Sequence, residues 1–244
     1  MNRLFSFFDR KIIPGLKIPK DYLVVDIGSG DKPFWRADVF VDNLKFDNYQ
    51  RDSNTKVISN FGYFVNCDAS KMPFKDKAFD FSYCSNLLEH VENPTLVIRE
   101  ITRVSKRGCI QVPNGLGENI KPFTSHLWRI YKHNEKLIFV RKAKKMTEIE
   151  INNSKNFPGL YSKIQFPFII HRWERKIDFE IIIEPEAVYR GKPGHTPSRF
   201  SQRLSIALYI FFVKLVRIIF YKNKNIRERL TSRQGLSQTT YFTK

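Results

Sequence analysis

The chain has 244 residues, with 42 Lys+Arg against 24 Asp+Glu and a formal net charge of +18. This length allows one ordinary domain with extensions, or two small ones, and buries enough surface to need no disulfide or metal staple. The 22 Phe and 10 Tyr exclude a mainly disordered chain, and Cys67, Cys84 and Cys109, with no Cys-x-x-Cys pair, exclude a disulfide framework and predict core thiols and no metal site.

The N-terminus, residues 1–20, reads as an extension. Its apolar run from Leu4 to Phe8 is broken by Ser6 and ended by Asp9-Arg10-Lys11. A signal peptide needs a longer apolar stretch and a small-residue cleavage site, so a cytoplasmic location is expected.

Short apolar runs bounded by turn residues then recur: Tyr22 to Ile27, Asp38 to Asp42, Tyr63 to Cys67, Phe79 to Cys84 and Cys109 to Val112. Each ends in Gly or polar residues, the signature of buried strands. A helix is signalled after the fourth run. Asn93 can cap it, Pro94 fits its first turn, Val97, Ile101 and Val104 share one face, and Gly108 can end it. Strand, helix and strand over 79–112 make a crossover unit, and repeated units predict an α/β domain with a parallel sheet.

The second half is less regular. Leu127 to Tyr131 and Leu137 to Lys142 flank His133-Asn134-Glu135 and predict a hairpin. Residues 144–162 are polar and read as surface chain, with a loop at Asn152 to Asn156. Ile164 to Ile170 and Ile177 to Ile183 read as two more strands. Pro185 to Ser198, with Gly191, Pro193, Gly194 and Pro197, reads as a linker.

Residues 204–220 form an almost continuous apolar run, broken by Ser205, Lys214 and Arg217. It sits at the lower length limit for a membrane span, and each internal charge would cost about 2.5–3.5 kcal/mol at a bilayer centre. Arg203, Lys214 and Arg217 share one stripe at helical spacing, which suits an amphipathic helix lying in a membrane surface. From Arg199 to Lys244 there are ten Lys/Arg against one acid, Glu228, so half of the net charge lies in this last fifth. Packing on the domain, docking of 199–233 on an anionic membrane, and nucleic-acid binding are the three uses open to it.

In a doubly wound sheet a ligand sits beyond the carboxyl ends of the strands. The sequence places Asp26, Gly28, Ser29 and Gly30 after the first run, Asp42 after the second, Asp68 and Ala69 after the third, and Ser85, Asn86 and His90 after the fourth. A P-loop needs Gly-Lys-Ser/Thr, which is absent, and a dinucleotide fingerprint needs a third glycine where Pro33 stands. Three carboxylates suit a ligand with ribose hydroxyls and a cationic centre rather than a phosphate.

These residues carry a resemblance. VVDIGSG (24–30), VFVD (39–42), NCDASKMPFKDKAFDFSYCSNLLEHV (66–91) and CIQVPN (109–114) resemble class I S-adenosylmethionine-dependent methyltransferases of the type 11 group. The resemblance implies a Rossmann-like seven-stranded sheet over 21–143 and a small β-rich addition within 144–198; the linker that ends this stretch and the amphipathic C-terminal helix and tail over 199–244 are read from composition. The hairpin at 127–142 would supply the reversed final strands. S-adenosylmethionine is the implied cofactor. Gly28, Ser29 and Gly30 would pass its methionyl part, oriented by Asp26. Asp42 would hold the ribose, Asp68 and Ala69 the adenine, and Ser85 and Asn86 would lie near the sulfonium.

Seven residues, 31–37, link the glycine turn to the second strand, so the first helix must be one or two turns. An Asp/Asn-Pro-Pro-aromatic motif, which would imply transfer to nitrogen, is missing. The expected transfer is to a hydroxyl, which profits from a general base, with His90 as the first candidate and Asn114, His126 and Trp128 in the acceptor pocket; His171 and Trp173 are further candidates. The expected acceptor is a glycan, lipid-linked sugar or other membrane-associated metabolite, reached from the cytoplasmic face of the membrane. RNA methylation and cofactor binding without turnover are the alternatives.

Overall fold

The computed structural model describes residues 15–30, 33–43, 63–120, 122–156, 167–184, 188–191, 207–216 and 242–243. Five apolar runs become the parallel strands β1 (Val24–Ile27), β2 (Val39–Asp42), β3 (Tyr63–Asn66), β4 (Phe81–Ser85) and β5 (Arg107–Val112). Helix α1 (Pro94–Val104) joins β4 to β5, with Asn93 accepting from the Leu96 amide as its cap. The remaining elements are α2 (Gly115–Ile120), β6 (Trp128–His133), β7 (Lys136–Arg141), α3 (Lys144–Asn156), β8 (Ile169–Glu174), β9 (Asp178–Ile182), a helix over 207–216 (α4) and β10 (Phe242–Thr243).

The main sheet runs β10-β3-β2-β1-β4-β5-β8, parallel from β3 to β5, with β8 and β10 antiparallel at its edges. The order reverses beside β1, so the ends of β1 and β4 open the crevice that such folds use for ligands. The strand alternation divides two cores. Val25, Ile27, Val41, Cys84 and Ile110 face α1 through Val97, Ile98, Ile101 and Val104. Val24, Phe40, Phe64, Phe81 and Tyr83 face the other way, with Phe34, Tyr209 and Val213.

Four expectations are corrected. The hairpin β6–β7 forms, but it pairs with β9 in a separate three-stranded sheet, and β8 takes the reversed place beside β5. Helix α1 stops at Ser105, and Gly108 lies inside β5, where a Cβ would come within 2.4 Å of the Ser82 carbonyl. Asn152 to Asn156, expected as a loop, is the end of a helix over Lys144–Asn156. Residues 33–38 turn without a helix, Ala37 N donating to Phe34 O; residues 31 and 32 lie outside the described residues.

That last correction gives α4 a structural task. With no helix in the described part of the β1–β2 crossover, Phe34 stacks on Tyr83 at 4.2 Å between centroids. Tyr209 covers this pair and donates its hydroxyl to Pro33 O at 2.6 Å. The face of α4 bearing Tyr209 and Val213 is thus a core face. A second stripe, Leu208, Phe211, Phe212 and Leu215, stays exposed, Phe211 by 67 %. Among the described residues no helix is long and apolar enough to cross a membrane.

Candidate active site

The ends of β1 to β4 surround a cavity of about 520 Å³, within the range of small-molecule sites. Gly28, Gly30, Asp42, Asp68, Ala69, Asn86 and His90 all stand on its wall. The sequence separates these residues by up to 62 positions, and the parallel register of β1, β2, β3 and β4 brings them together.

The loop after β1 is built for close approach. Gly28 and Gly30 have φ of +74° and +55°, the left-handed region that glycine enters without strain. A Cβ on Gly28 would also meet Leu87 at 3.0 Å. The Gly28 and Ser29 amides both donate to Val41 O, folding the loop over β2. Asp26 lies wholly buried behind it and accepts from the Phe34 amide at 2.6 Å. Its carboxylate therefore ties β1 to the far side of the turn without reaching the cavity wall. Ser29 and Ser85 are also buried away from the wall.

Asp42 ends β2 with its carboxylate on the wall. Oδ2 accepts from Gly30 N at 2.6 Å and Oδ1 from Asn43 N at 2.7 Å, which holds both oxygens in place. Asp68 is fixed by the Ser70 amide on Oδ1 at 2.7 Å. The loop that follows is clamped from α1: Arg103 donates to Met72 O and Phe74 O, and Glu100 accepts from Met72 N. Cys67 lies between the two aspartates. Burial, then Asp68, Glu100 and Asp42, push its pKa up to about 12, so it lines the cavity as a neutral thiol.

Asn86 ends β4 at φ +53°, a conformation uncommon outside glycine and concentrated at functional positions. Its amide donates to Gln111 O, while its side-chain Oδ1 is buried with no hydrogen-bond partner. His90 follows after one turn. Its Nδ1 is 3.2 Å from the Ser125 carbonyl, so in the neutral ring the proton sits there and Nε2 is the acceptor nitrogen. Burial, then the neighbouring His126 ring, pull its pKa down to about 3, and the imidazole is neutral.

The three residues expected in an acceptor pocket stand off the wall. Asn114 starts α2, its Oδ1 accepting from Leu116 N at 3.0 Å. Trp128 is a core residue whose Nε1 donates to Val91 O at 2.8 Å. His126 packs behind His90, edge to face at 4.7 Å, with Nδ1 2.6 Å from Glu118 Oε1. His171 and Trp173 are buried on β8 against β5. Sequence reasoning missed Arg190 on the wall. The apparent linker docks there because Tyr189 is buried, its amide donating to Lys142 O and its hydroxyl to Thr124 O.

Two wall carboxylates, an open glycine loop and a neutral apolar flank suit a nucleoside bearing a cationic centre. The family model described as a methyltransferase domain matches residues 26–112, the segment that supplies most of this wall. Over these residues the chain is similar to methyltransferase domains. S-adenosylmethionine is the cofactor to which this similarity points. The residues present fit that cofactor: ionised Asp42 offers two acceptor oxygens to ribose hydroxyls, Asp68 an acceptor to an amino group, and Gly28 and Gly30 leave room for the methionyl part.

Among solved structures, the YcgJ protein of Bacillus subtilis is 23 % identical over 40 % of this chain and 47 % of its own, with a TM-score of 0.32. An S-adenosylmethionine-dependent methyltransferase of Thermotoga maritima, described as a possible histamine N-methyltransferase, is 12 % identical over 71 % of this chain and 86 % of its own, TM-score 0.40. A Mesorhizobium loti methyltransferase is 14 % identical over 65 % and 94 %, TM-score 0.36. The chain thus spans about half the length of YcgJ. No curated protein matches it.

Proposed function

We propose that the protein methylates a hydroxyl of a glycan, lipid-linked sugar or other membrane-associated metabolite, working at the surface of an anionic membrane. The cofactor supplies an electrophilic methyl on a sulfonium; the chain supplies position and polarity. In this reading Asp42 and Asp68 fix the nucleoside, and Asn86 borders the transferred group. His90 Nε2 accepts the hydrogen bond of the incoming hydroxyl. Its low proton affinity makes it an orienting group rather than a store for the proton, which changes the general-base role expected from sequence.

The observation that carries the membrane part is α4. Its Tyr209–Val213 face is spent on the core, yet Leu208, Phe211, Phe212 and Leu215 form a second apolar stripe facing outward. The surrounding chain from Arg199 to Lys244 carries +9. Exposed apolar bulk beside clustered positive charge is the combination that binds anionic lipid surfaces.

The test is transfer of isotope-labelled methyl from S-adenosylmethionine into fractionated cell extract. Label in lipid or polysaccharide, lost with Asp42→Ala, supports the reading. Label in RNA overturns it and turns the basic tail into a nucleic-acid arm. No label, with cofactor still bound, overturns turnover itself.

A further inference from the structure

The cavity is sorted by charge. Asp42 and Asp68 line it at the ends of β2 and β3, while His90, Ser125, Leu127 and Arg190 line it on the β4 side. In the sheet β1 stands between β2 and β4, so Asp42 is two strand spacings from the end of β4, about 10 Å, and Asp68 is one spacing further. Carboxylates and guanidinium thus stand at opposite ends of one cavity.

The backbone that carries Arg190 is fixed on both sides. Tyr189 is buried; its amide donates to Lys142 O at 2.9 Å, its hydroxyl to Thr124 O at 2.9 Å, and its carbonyl accepts from Arg141 Nη2 at 3.3 Å. Gly191 turns at φ +74°, where a Cβ would meet Leu127 at 2.9 Å and lie 3.8 Å from the Ser125 carbonyl. That carbonyl is the one that orients His90. Arg190 is therefore held on the side of the cavity where, in the reading above, the incoming hydroxyl arrives.

Arg190 is exposed, and among the described residues nothing hydrogen-bonds to its guanidinium or pairs with it. The acid on this side of the wall is already engaged: Glu92 pairs with Arg141 Nη2 at 2.9 Å, and Arg141 lies over the Trp128 ring. The His90 ring is neutral. What remains is one positive charge beside an apolar flank of Val91, Leu96 and Leu127. A guanidinium presents parallel N–H donors that match a carboxylate or a phosphate in two bonds at once.

We propose that Arg190 binds an oxyanion carried by the methyl acceptor, a phosphate ester or a carboxylate, and so selects acidic acceptors over neutral ones. The proposal rests on the methyl-transfer reading and narrows it. The acceptor lies along the β4 side, with its hydroxyl at His90 Nε2, its anionic group on Arg190 and its carbon skeleton against Leu96 and Leu127. The cofactor's own carboxylate has a different place in this reading, since its methionyl chain passes Gly28 and Gly30 at the end of β1.

The test reads anion binding and needs no turnover. Full-length protein saturated with S-adenosylhomocysteine is titrated with phenyl phosphate, benzoate and phenol, and the guanidinium signals of isotope-labelled arginine are followed by NMR. At least one of the two anions is expected to bind and to move a signal that Arg190→Ala removes; phenol, which lacks the charge, should not. Affinity for that anion should fall at least about tenfold in Arg190→Ala, and about threefold in Arg190→Lys, which keeps the charge and loses the fork. The tighter of the two anions tells a phosphate ester from a carboxylate. Affinity for S-adenosylhomocysteine should stay within about twofold of wild type in both variants. Binding of neither anion, binding that Arg190→Ala leaves unchanged, or phenol binding as well as the anions overturns the proposal. A loss of about tenfold or more in S-adenosylhomocysteine affinity in Arg190→Ala also overturns it and assigns Arg190 to the cofactor's carboxylate. A neutral product labelled in the extract experiment overturns it as well, whereas absence of all label there, with the anion still bound at Arg190, overturns turnover and not the anion site.

Discussion

Asp42→Ala is the most informative single change in the cofactor site. The carboxylate stands on the cavity wall and is held by two backbone amides, Gly30 at 2.6 Å and Asn43 at 2.7 Å. Removing it takes away the acceptors for two ribose hydroxyls and loosens the glycine loop. A hydrogen bond to a charged group contributes about 1.5–3 kcal/mol, and half-burial places each of these near the lower end. The expected loss is about 2–4 kcal/mol, or roughly 30- to 1000-fold in Kd. Asp42→Asn keeps one acceptor oxygen and should lose about tenfold. Calorimetric titration with S-adenosylhomocysteine measures both, with circular dichroism as the check on folding. A folded Asp42→Ala protein whose Kd stays within about threefold of wild type would refute the assignment.

Further outcomes follow from the same structure. Lys142→Met removes the buried ammonium that answers the Glu118 carboxylate, 2 % exposed, and should cost about 3–5 kcal/mol in urea denaturation. Gly108→Ala drives a methyl into the Ser82 carbonyl and should cost about 3 kcal/mol or more, seen as a lower melting temperature. Burial, then Lys132, hold His171 below the ordinary imidazole value. Its neutral form is favoured in the fold, so that contribution is intact above the unfolded value of about 6.5 and fades as pH falls below it. Denaturant midpoints should therefore drop on the acid side, and His171→Leu should flatten that limb. Phe211→Ser with Phe212→Ser should abolish co-sedimentation with phosphatidylglycerol vesicles while leaving S-adenosylhomocysteine affinity unchanged, since both side chains face away from the core.

The parallel half of the fold was legible because its signals are local. Runs such as VVDI and VFVD are buried on both faces of the sheet, so each strand reads as a short apolar block with a polar end. Gly28, Gly30, Asp42, Asp68, Ala69, Asn86 and His90 sit at or just beyond those ends, which is why one cavity wall gathers them. What failed was long-range. Nothing local in the hairpin says which sheet it joins. β8 was sought in the apolar run ending at Ile170, whereas the strand is the alternating IIHRWE, with Ile169, His171 and Trp173 inward. Gly108 looked like a helix stop because its role depends on Ser82 and Trp173, which are distant in sequence. Arg190 was hidden by its Pro/Gly-rich surroundings.

The central claim is that one cavity at the ends of β1 to β4 holds S-adenosylmethionine through the residues named. A crystal structure with S-adenosylhomocysteine tests it most directly. The account predicts the ribose on Asp42, the adenine beside Asp68 and Ala69, the methionyl chain over Gly28 and Gly30, and the sulfur near Asn86. A ligand bound elsewhere, or in this cavity with Asp42 out of contact, would contradict it.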